Sequence, residues 1–275
     1  MHCEAEILKI PSEAGEGPVR VDFYASGGAG RRPLLLIFPG GGYEYRSERE
    51  ALPIARALAP AGVHTAIVHY ACYPALFPVS LLQTAEVMQY FRKEGAKHEV
   101  DSEEIFMIGF SAGGHLALSY ALYCGREDFF KSYLKDPVTT QTEGLLLAYP
   151  VVTAGRYAHQ GSIDHLLGPE GERRFPAEDV SLERQAAEAP SLPPLFLWHT
   201  FTDESVPVEN SILLLNAYRK YHPELPCECH FYEKGVHGLA LATAETDHGD
   251  GACIEPRAAR WTEAAKDWLR ARIDG

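Results

Sequence analysis

Ser111 stands in Gly109-Phe110-Ser111-Ala112-Gly113, directly after the apolar run Ile105-Phe106-Met107-Ile108. A serine at a sharp strand-to-helix corner has its hydroxyl exposed and can serve as a nucleophile. Glycines on both sides suit a close approach of strand and helix, because a side chain at 109 or 113 would collide there. The hydroxyl by itself is a weak nucleophile. It needs an imidazole within hydrogen-bond reach to take its proton, and a carboxylate to fix that imidazole's tautomer. The chain has 12 histidines, so spacing does not choose the partner. Placement in the fold must.

A parallel α/β sheet gathers its functional groups at the carboxyl ends of its strands, so the strands come first. Residues 6–10 and 19–24 alternate apolar and polar around the turn residues 11–15, the pattern of an antiparallel pair. The glycines of 27–30 mark a loop. Residues 34–38 are continuously apolar, as in a strand buried on both faces. A helix at 50–59 is stopped by Pro60-Ala61-Gly62, and a strand follows at 64–70. Leu81, Ala85, Met88 and Phe91 repeat at helical spacing within 80–97. Strand 105–109 then leads into a helix from Ser111 to about Cys124, with Leu116, Ala117, Tyr120 and Ala121 on its apolar positions. A strand at 145–149 is closed by Pro150.

From 151 to 190 the pattern dissolves into polar residues with charge clusters at 170–174 and 183–188 and one short helix at 162–168. Such an excursion is a lid or binding loop, or else a plain surface detour. The sheet resumes at 195–199. Val208, Ile212, Leu215 and Tyr218 then give a helix, 228–232 the last strand, and 256–272 a closing helix. Strands alternating with helices imply an α/β fold with a mostly parallel sheet and helices on both faces. No repeat, low-complexity tract or long linker divides residues 1–275, so one domain is expected.

Two loops now stand out. Asp203 lies in 200–207, right after the strand ending at His199; its other reading is a cap on the helix that begins near Val206, in which case Glu204 is the substitute carboxylate. His237 lies in Glu233-Lys234-Gly235-Val236-His237-Gly238, right after the last strand, and is otherwise a loop histidine. Negative charge developing on a substrate carbonyl needs donors. The backbone N–H of Ala112 is one, and Gly41 and Gly42, in the turn that ends strand 34–38, are favoured as the others. The alternatives there are a tight glycine turn or a phosphate cradle, and the cradle is disfavoured because Tyr43-Glu44-Tyr45 follows instead of Gly-Lys-Ser/Thr. His115 reads as a helix-face residue packed under the site, not a second base.

Composition narrows the class. The chain of 275 residues, 46% hydrophobic and 23% charged, is long enough for a full core and ordinary for a soluble globular protein. A formal net charge of −13 argues against a nucleic-acid partner and against docking on anionic lipid. Residues 1–6 carry neither a basic nor an apolar leader segment. No apolar run approaches the roughly 20 residues of a membrane helix. The six cysteines, 3, 72, 124, 227, 229 and 253, then read as free thiols in a reducing, cytoplasmic setting. Cys227-Glu228-Cys229 is read as part of a strand, because a zinc site would need a second ligand pair.

Taken together, Pro39-Gly-Gly-Gly-Tyr43, Gly109-Phe-Ser-Ala-Gly-Gly-His115, His199-Thr-Phe-Thr-Asp-Glu-Ser-Val-Pro-Val-Glu-Asn-Ser211 and Gly235-Val-His-Gly-Leu239 resemble the acetyl esterase / acetyl-xylan-esterase-like branch of the α/β-hydrolase superfamily. The resemblance covers about residues 34–241, and the order Ser, Asp, His is the superfamily's own. It implies an eight-stranded, mostly parallel sheet and a triad in which Ser111 is the nucleophile, His237 the base and Asp203 its orienter. It further implies serine-esterase hydrolysis of short-chain carboxylic esters, commonly acetyl groups on sugars or xylo-oligosaccharides, through an acyl-enzyme and with no metal or organic cofactor. The partner is then a small-molecule ester, acetylated oligosaccharides included, and a homo-oligomer is compatible with it. Tyr43, Tyr45 and Tyr73 are the candidates for stacking on a sugar, with burial in the core as the competing role. One departure is Pro39, where lipase-like relatives carry a histidine that orients the glycine loop. Competing functions are a prolyl-oligopeptidase-type serine peptidase, for which the chain lacks room for an accessory domain, and a non-catalytic binding module, against which all three triad positions are filled.

Overall fold

The computed structural model describes residues 5–28 and 30–273. Cys3, Ala29 of the glycine loop and the side chains of 170–173, most of one charge cluster, lie outside the described residues. Eight strands form one sheet: β1 Glu6–Ile10, β2 Val19–Tyr24, β3 Arg32–Phe38, β4 His64–His69, β5 Val100–Phe110, β6 Gly144–Ala148, β7 Leu195–Thr200 and β8 Cys227–Tyr232. Their order is β1-β2-β4-β3-β5-β6-β7-β8. β2 pairs antiparallel with β1 and β4, and β3 to β8 run parallel. The helices are α1 Leu52–Leu58, α2 Val79–Glu94, α3 Ser111–Tyr123, α4 Glu127–Lys131, α5 Gln160–Arg174, α6 Leu182–Gln185, α7 Glu209–Tyr221 and α8 Trp261–Ile273.

The uninterrupted apolar run of β3 is explained by its two neighbours. Leu34, Leu36 and Phe38 face a core completed by Leu81 and Met88 of α2, Leu116 and Tyr120 of α3, and Leu214 of α7. Leu35 and Ile37 face the opposite core, with Ile54 and Leu58 of α1 and Trp261 and Leu269 of α8. Side chains alternate faces along a strand, so a strand covered on both sides must be apolar throughout.

Chain order sets the position of the site. From β3 the chain passes through α1 to β4 on one side, and then through α2 to β5 on the other side of β3. The loops leaving β3 and β5 therefore diverge, and a crevice opens above their carboxyl ends.

The strands match their sequence-based placement, with one extension. β5 begins at Val100, five residues early, because Val100 pairs with Arg32 across a register shift between Arg32 and Leu34. That half carries Asp101, Ser102 and Glu103, so no apolar pattern announced it. The excursion 151–190 is more ordered than expected: α5 runs through the expected short helix and past a kink at Gly168 (φ 59°, ψ 175°), and α6 follows. The expected helix 80–97 is α2 continued by a tighter turn at Gly95–His98, and α4 was not anticipated. Among the described residues no helix is long and apolar enough to cross a membrane. Cys72, Cys124, Cys227, Cys229 and Cys253 are free thiols.

Candidate active site

Ser111 is the first residue of α3 and has a left-handed backbone, φ 51°. The conformation follows from packing. A Cβ on Gly113 would run into the carbonyl oxygens of Phe38 and Pro39, and one on Gly109 into the backbone of Gly113. Two glycines thus let α3 press against the ends of β3 and β5, and the serine turns on the corner between them.

The loops after β7 and β8 deliver its partners. Ser111 Oγ lies 2.8 Å from His237 Nε2, and His237 Nδ1 lies 2.7 Å from Asp203 Oδ2. A carboxylate accepts only, so Nδ1 carries the proton and Nε2 faces the hydroxyl with its lone pair. Asp203, buried, also accepts the N–H of Ser205 (3.0 Å) and of Val206 (2.9 Å) through Oδ1. Asp203 thus caps the turn at 205–206 through Oδ1 and meets His237 through Oδ2, the contacts that the cap reading and the orienter reading each require. Glu204 is exposed.

A second imidazole reaches the same carboxylate. His199, fully buried, places Nε2 3.0 Å from the Val206 carbonyl and 3.3 Å from Asp203 Oδ2. Both are acceptors, so that nitrogen holds the proton, and Nδ1 takes the Ser211 hydroxyl at 2.7 Å. Burial alone would raise the Asp203 pKa. The hydrogen bonds from His199 and His237, the His237 charge and the Val206 N–H outweigh it and hold the carboxyl below its ordinary range.

The glycine turn after β3 faces the crevice. Gly41 (φ 122°) and Gly42 (φ 65°) adopt backbone that side chains rarely accept, and among the described residues no acceptor meets their N–H groups. The N–H of Ala112, in the first turn of α3, has no acceptor inside the helix. Gly40 is different: its N–H donates to Glu50 Oε2 at 2.8 Å. Glu50 is buried, and its Oε1 accepts the Tyr149 hydroxyl at 2.7 Å. That hydroxyl takes the N–H of Ala240 at 2.9 Å, and the Tyr149 ring packs edge-on against His237 at 5.1 Å. Burial raises the Glu50 pKa, against the Tyr149 hydroxyl, the His237 charge and the Gly40 N–H. The Tyr70 hydroxyl holds the Pro39 carbonyl at 2.5 Å. Tyr70 and Glu50 thus fix the loop that the missing histidine would have oriented.

The three tyrosines separate. Tyr43 is buried, and its hydroxyl donates to His115 Nδ1 at 2.8 Å, so its ring is not open to a sugar. Tyr45 and Tyr73 are 60% and 49% exposed. His115 packs under the site as expected: its Nε2 donates to Val180 O at 2.9 Å, and burial pushes its pKa down to about 4. Six described non-glycine residues have left-handed backbone: Tyr43, Glu99, Ser111, Tyr149, Ala240 and Ala242. All but Glu99 lie in the segments that carry the site. Among the described residues no group of three His, Cys, Asp or Glu is gathered to hold a metal.

The sequence reading missed Glu50, Tyr149 and the contact of His199 with Asp203. His199 had a signal, its place at the end of a strand beside the Asp203 loop. Glu50 had none, since it sits in Glu48-Arg49-Glu50 like a surface residue.

Residues 35–241 match the alpha/beta hydrolase fold family. The chain is 30% identical over 223 residues to endo-1,4-beta-xylanase B of Butyrivibrio fibrisolvens, an alignment that takes in 78% of this chain and 34% of that protein. It therefore spans about a third of that relative's length. Among solved structures it is similar to an acetyl ester-xyloside bifunctional hydrolase from Caldicellulosiruptor lactoaceticus, with TM-score 0.80, 29% identity and coverage of 98% and 97% of the two chains. It is likewise similar to a carboxylesterase from Lactobacillus plantarum WCFS1, with TM-score 0.83, 28% identity and 100% coverage of both.

Proposed function

The chain belongs to the alpha/beta hydrolase fold family, and from that premise we propose that it is a serine ester hydrolase that removes short acyl groups, acetyl above all, from sugars or xylo-oligosaccharides. The observation that carries the reading is the continuous relay from Ser111 Oγ through His237 to Asp203, at 2.8 and 2.7 Å, beside a glycine turn with free N–H groups. The names of the similar xyloside hydrolase and carboxylesterase support the substrate class.

Ser111 Oγ attacks the ester carbonyl while His237 Nε2 takes its proton. The carbonyl oxygen, now negative, is received by the N–H groups of Gly41, Gly42 and Ala112, each worth about 2.7–4 kcal/mol to the transition state. His237 then gives the proton to the departing alkoxide, leaving an acyl-serine. Water enters, His237 takes a proton from it, and the second attack releases the carboxylic acid and restores the hydroxyl. Asp203 stays ionised through the cycle and holds the Nδ1–H tautomer. No step calls on a cofactor. Residues 1–275 act as one domain in this reading, with 151–190 as the wall over the crevice and Tyr45 and Tyr73 offering ring faces to a sugar.

The test is hydrolysis of p-nitrophenyl esters from acetate to octanoate by the wild type and by Ser111→Ala. A rate that is highest for acetate, falls with chain length and drops by about 10⁶ in the variant is the expected result. Equal, slow hydrolysis by two folded proteins would sink the esterase reading and bring forward a peptidase or a binding module.

A further inference from the structure

One imidazole outside the relay stands beside it from the 151–190 segment. The ring of His159 lies nearly parallel to that of His237, at 16° and 6.4 Å between centroids. Its Nδ1 is 3.3 Å from the backbone N of Ser162 and 2.8 Å from Ser162 Oγ. The backbone N–H can only donate, so Nδ1 accepts and the ring proton sits on Nε2. Among the described residues no acceptor meets that Nε2–H. Burial, and after it the nearness of His237, lower the His159 pKa from its ordinary value, so the ring remains an uncharged donor near neutral pH.

The location of the ring gives this donor a use. A Cβ on Gly42 would stand 3.7 Å from Ser162 Oγ and 4.0 Å from His159 Cε1, so His159 and Ser162 flank the glycine turn across a gap about one methyl group wide, at the edge of the crevice. The gap is bounded by the turn that receives the carbonyl oxygen and by the histidine that protonates the departing oxygen. It is also rigid. His165 Nδ1 donates to the Gly42 carbonyl at 3.0 Å, Ser162 is buried, and the Tyr73 N–H donates to the Tyr43 carbonyl at 2.7 Å. A donor fixed in this way favours a ligand that brings a matching oxygen, while a ligand without one leaves the donor unpaired as water is displaced. Past the gap, the Tyr73 ring packs on His165 at 5.7 Å and keeps an exposed face.

Resting on the ester-hydrolase reading, we propose that His159 reads the alcohol half of the substrate, its Nε2–H donating to a hydroxyl or ring oxygen next to the ester, so that the site selects polyhydroxylated alcohols over plain aryl or alkyl ones. His159 in this role is a specificity-determining residue; no bond forms or breaks on it.

The experiment compares wild type, His159→Phe and His159→Gln on a monoacetylated methyl xyloside and on p-nitrophenyl acetate, which has no hydroxyl beside its ester. In His159→Phe the ratio of kcat/KM for the xyloside to that for p-nitrophenyl acetate falls about tenfold, mostly through KM, and His159→Gln, which restores an N–H donor, recovers most of it. An unchanged ratio in His159→Phe overturns the proposal: if both esters slow together the ring merely supports His237, and if neither slows it contacts nothing. Calorimetric binding of the same xyloside to Ser111→Ala, with and without His159→Phe, needs no turnover and is expected to weaken about tenfold. That arm decides the role of His159 even if the wild type fails to hydrolyse either ester, the outcome that would count against the hydrolase reading alone.

Discussion

Asp203 and Glu50 are both buried carboxylates whose surroundings include His237, yet their pKa values move in opposite directions. Desolvation pushes both upward. Asp203 accepts from two imidazoles and two backbone N–H groups, and these overcome its burial. Glu50 accepts from one backbone N–H and one hydroxyl, and burial wins. Fewer donors and deeper burial together thus separate Glu50, which braces a loop, from Asp203, kept charged beside the imidazole it is proposed to orient. In the proposed reaction Asp203 holds the tautomer of His237. Glu50 holds the Gly40 turn and, through Tyr149, the ring that packs on His237.

The widest gap between the two should appear in turnover. Asp203→Asn removes the acceptor that holds the Nδ1–H tautomer, and kcat on p-nitrophenyl acetate is expected to fall by about 10⁴. A loss below tenfold would mean that another carboxylate orients His237, and the division of labour would collapse. Glu50→Gln keeps the shape but weakens the bracing of Gly40. A loss of about tenfold in kcat is expected, corresponding to about 1.4 kcal/mol, with KM changed less. A change confined to KM would show that Glu50 serves substrate binding instead.

The smallest effect is in stability against pH, and its sign separates the pair. Asp203 has a lowered folded pKa, so its contribution is present above its unfolded value near 3.8 and is lost only as pH falls below that value. Glu50 has a raised folded pKa, so its protonated form stabilises the fold, and that gain is lost as pH rises through the folded value. Between pH 8 and 4.5 the melting-temperature deficit of Asp203→Asn should therefore stay level. Over the same range Glu50→Gln should lose ground to the wild type as pH falls, by a few degrees at most. Parallel curves for the two variants would contradict the opposed shifts.

The parts of the site that were legible in the sequence are those set by strand ends. Ser111 and Asp203 each follow a strand marked by an apolar run, and His237 follows one marked by alternation, so locating strands located them. Gly41 and Gly42 were legible for the same reason. Glu50 and Tyr149 were not, because they meet across 99 positions and neither residue's local pattern encodes the contact. Helix α5 was read too short because Gly168-Pro169 interrupts the spacing of Ile163, Leu166 and Leu167. The early half of β5 was lost for the opposite reason: its backbone pairs while its side chains remain polar.

The left-handed backbone at Tyr43, Ser111, Tyr149, Ala240 and Ala242 has a consequence for anyone seeking a hardier version of this protein. Each such residue costs roughly 1 kcal/mol or more, so the five together amount to about 5 kcal/mol, the size of a whole domain's modest margin against unfolding. At Ala240 and Ala242 glycine would relax that strain at little loss of contacts, whereas at the buried Tyr43 and Tyr149 it would empty the core. Ser111→Gly would relax the strain by deleting the proposed nucleophile. A screen that scored heat resistance alone would thus drift toward a tougher and inert protein. Activity has to be selected alongside it, round by round.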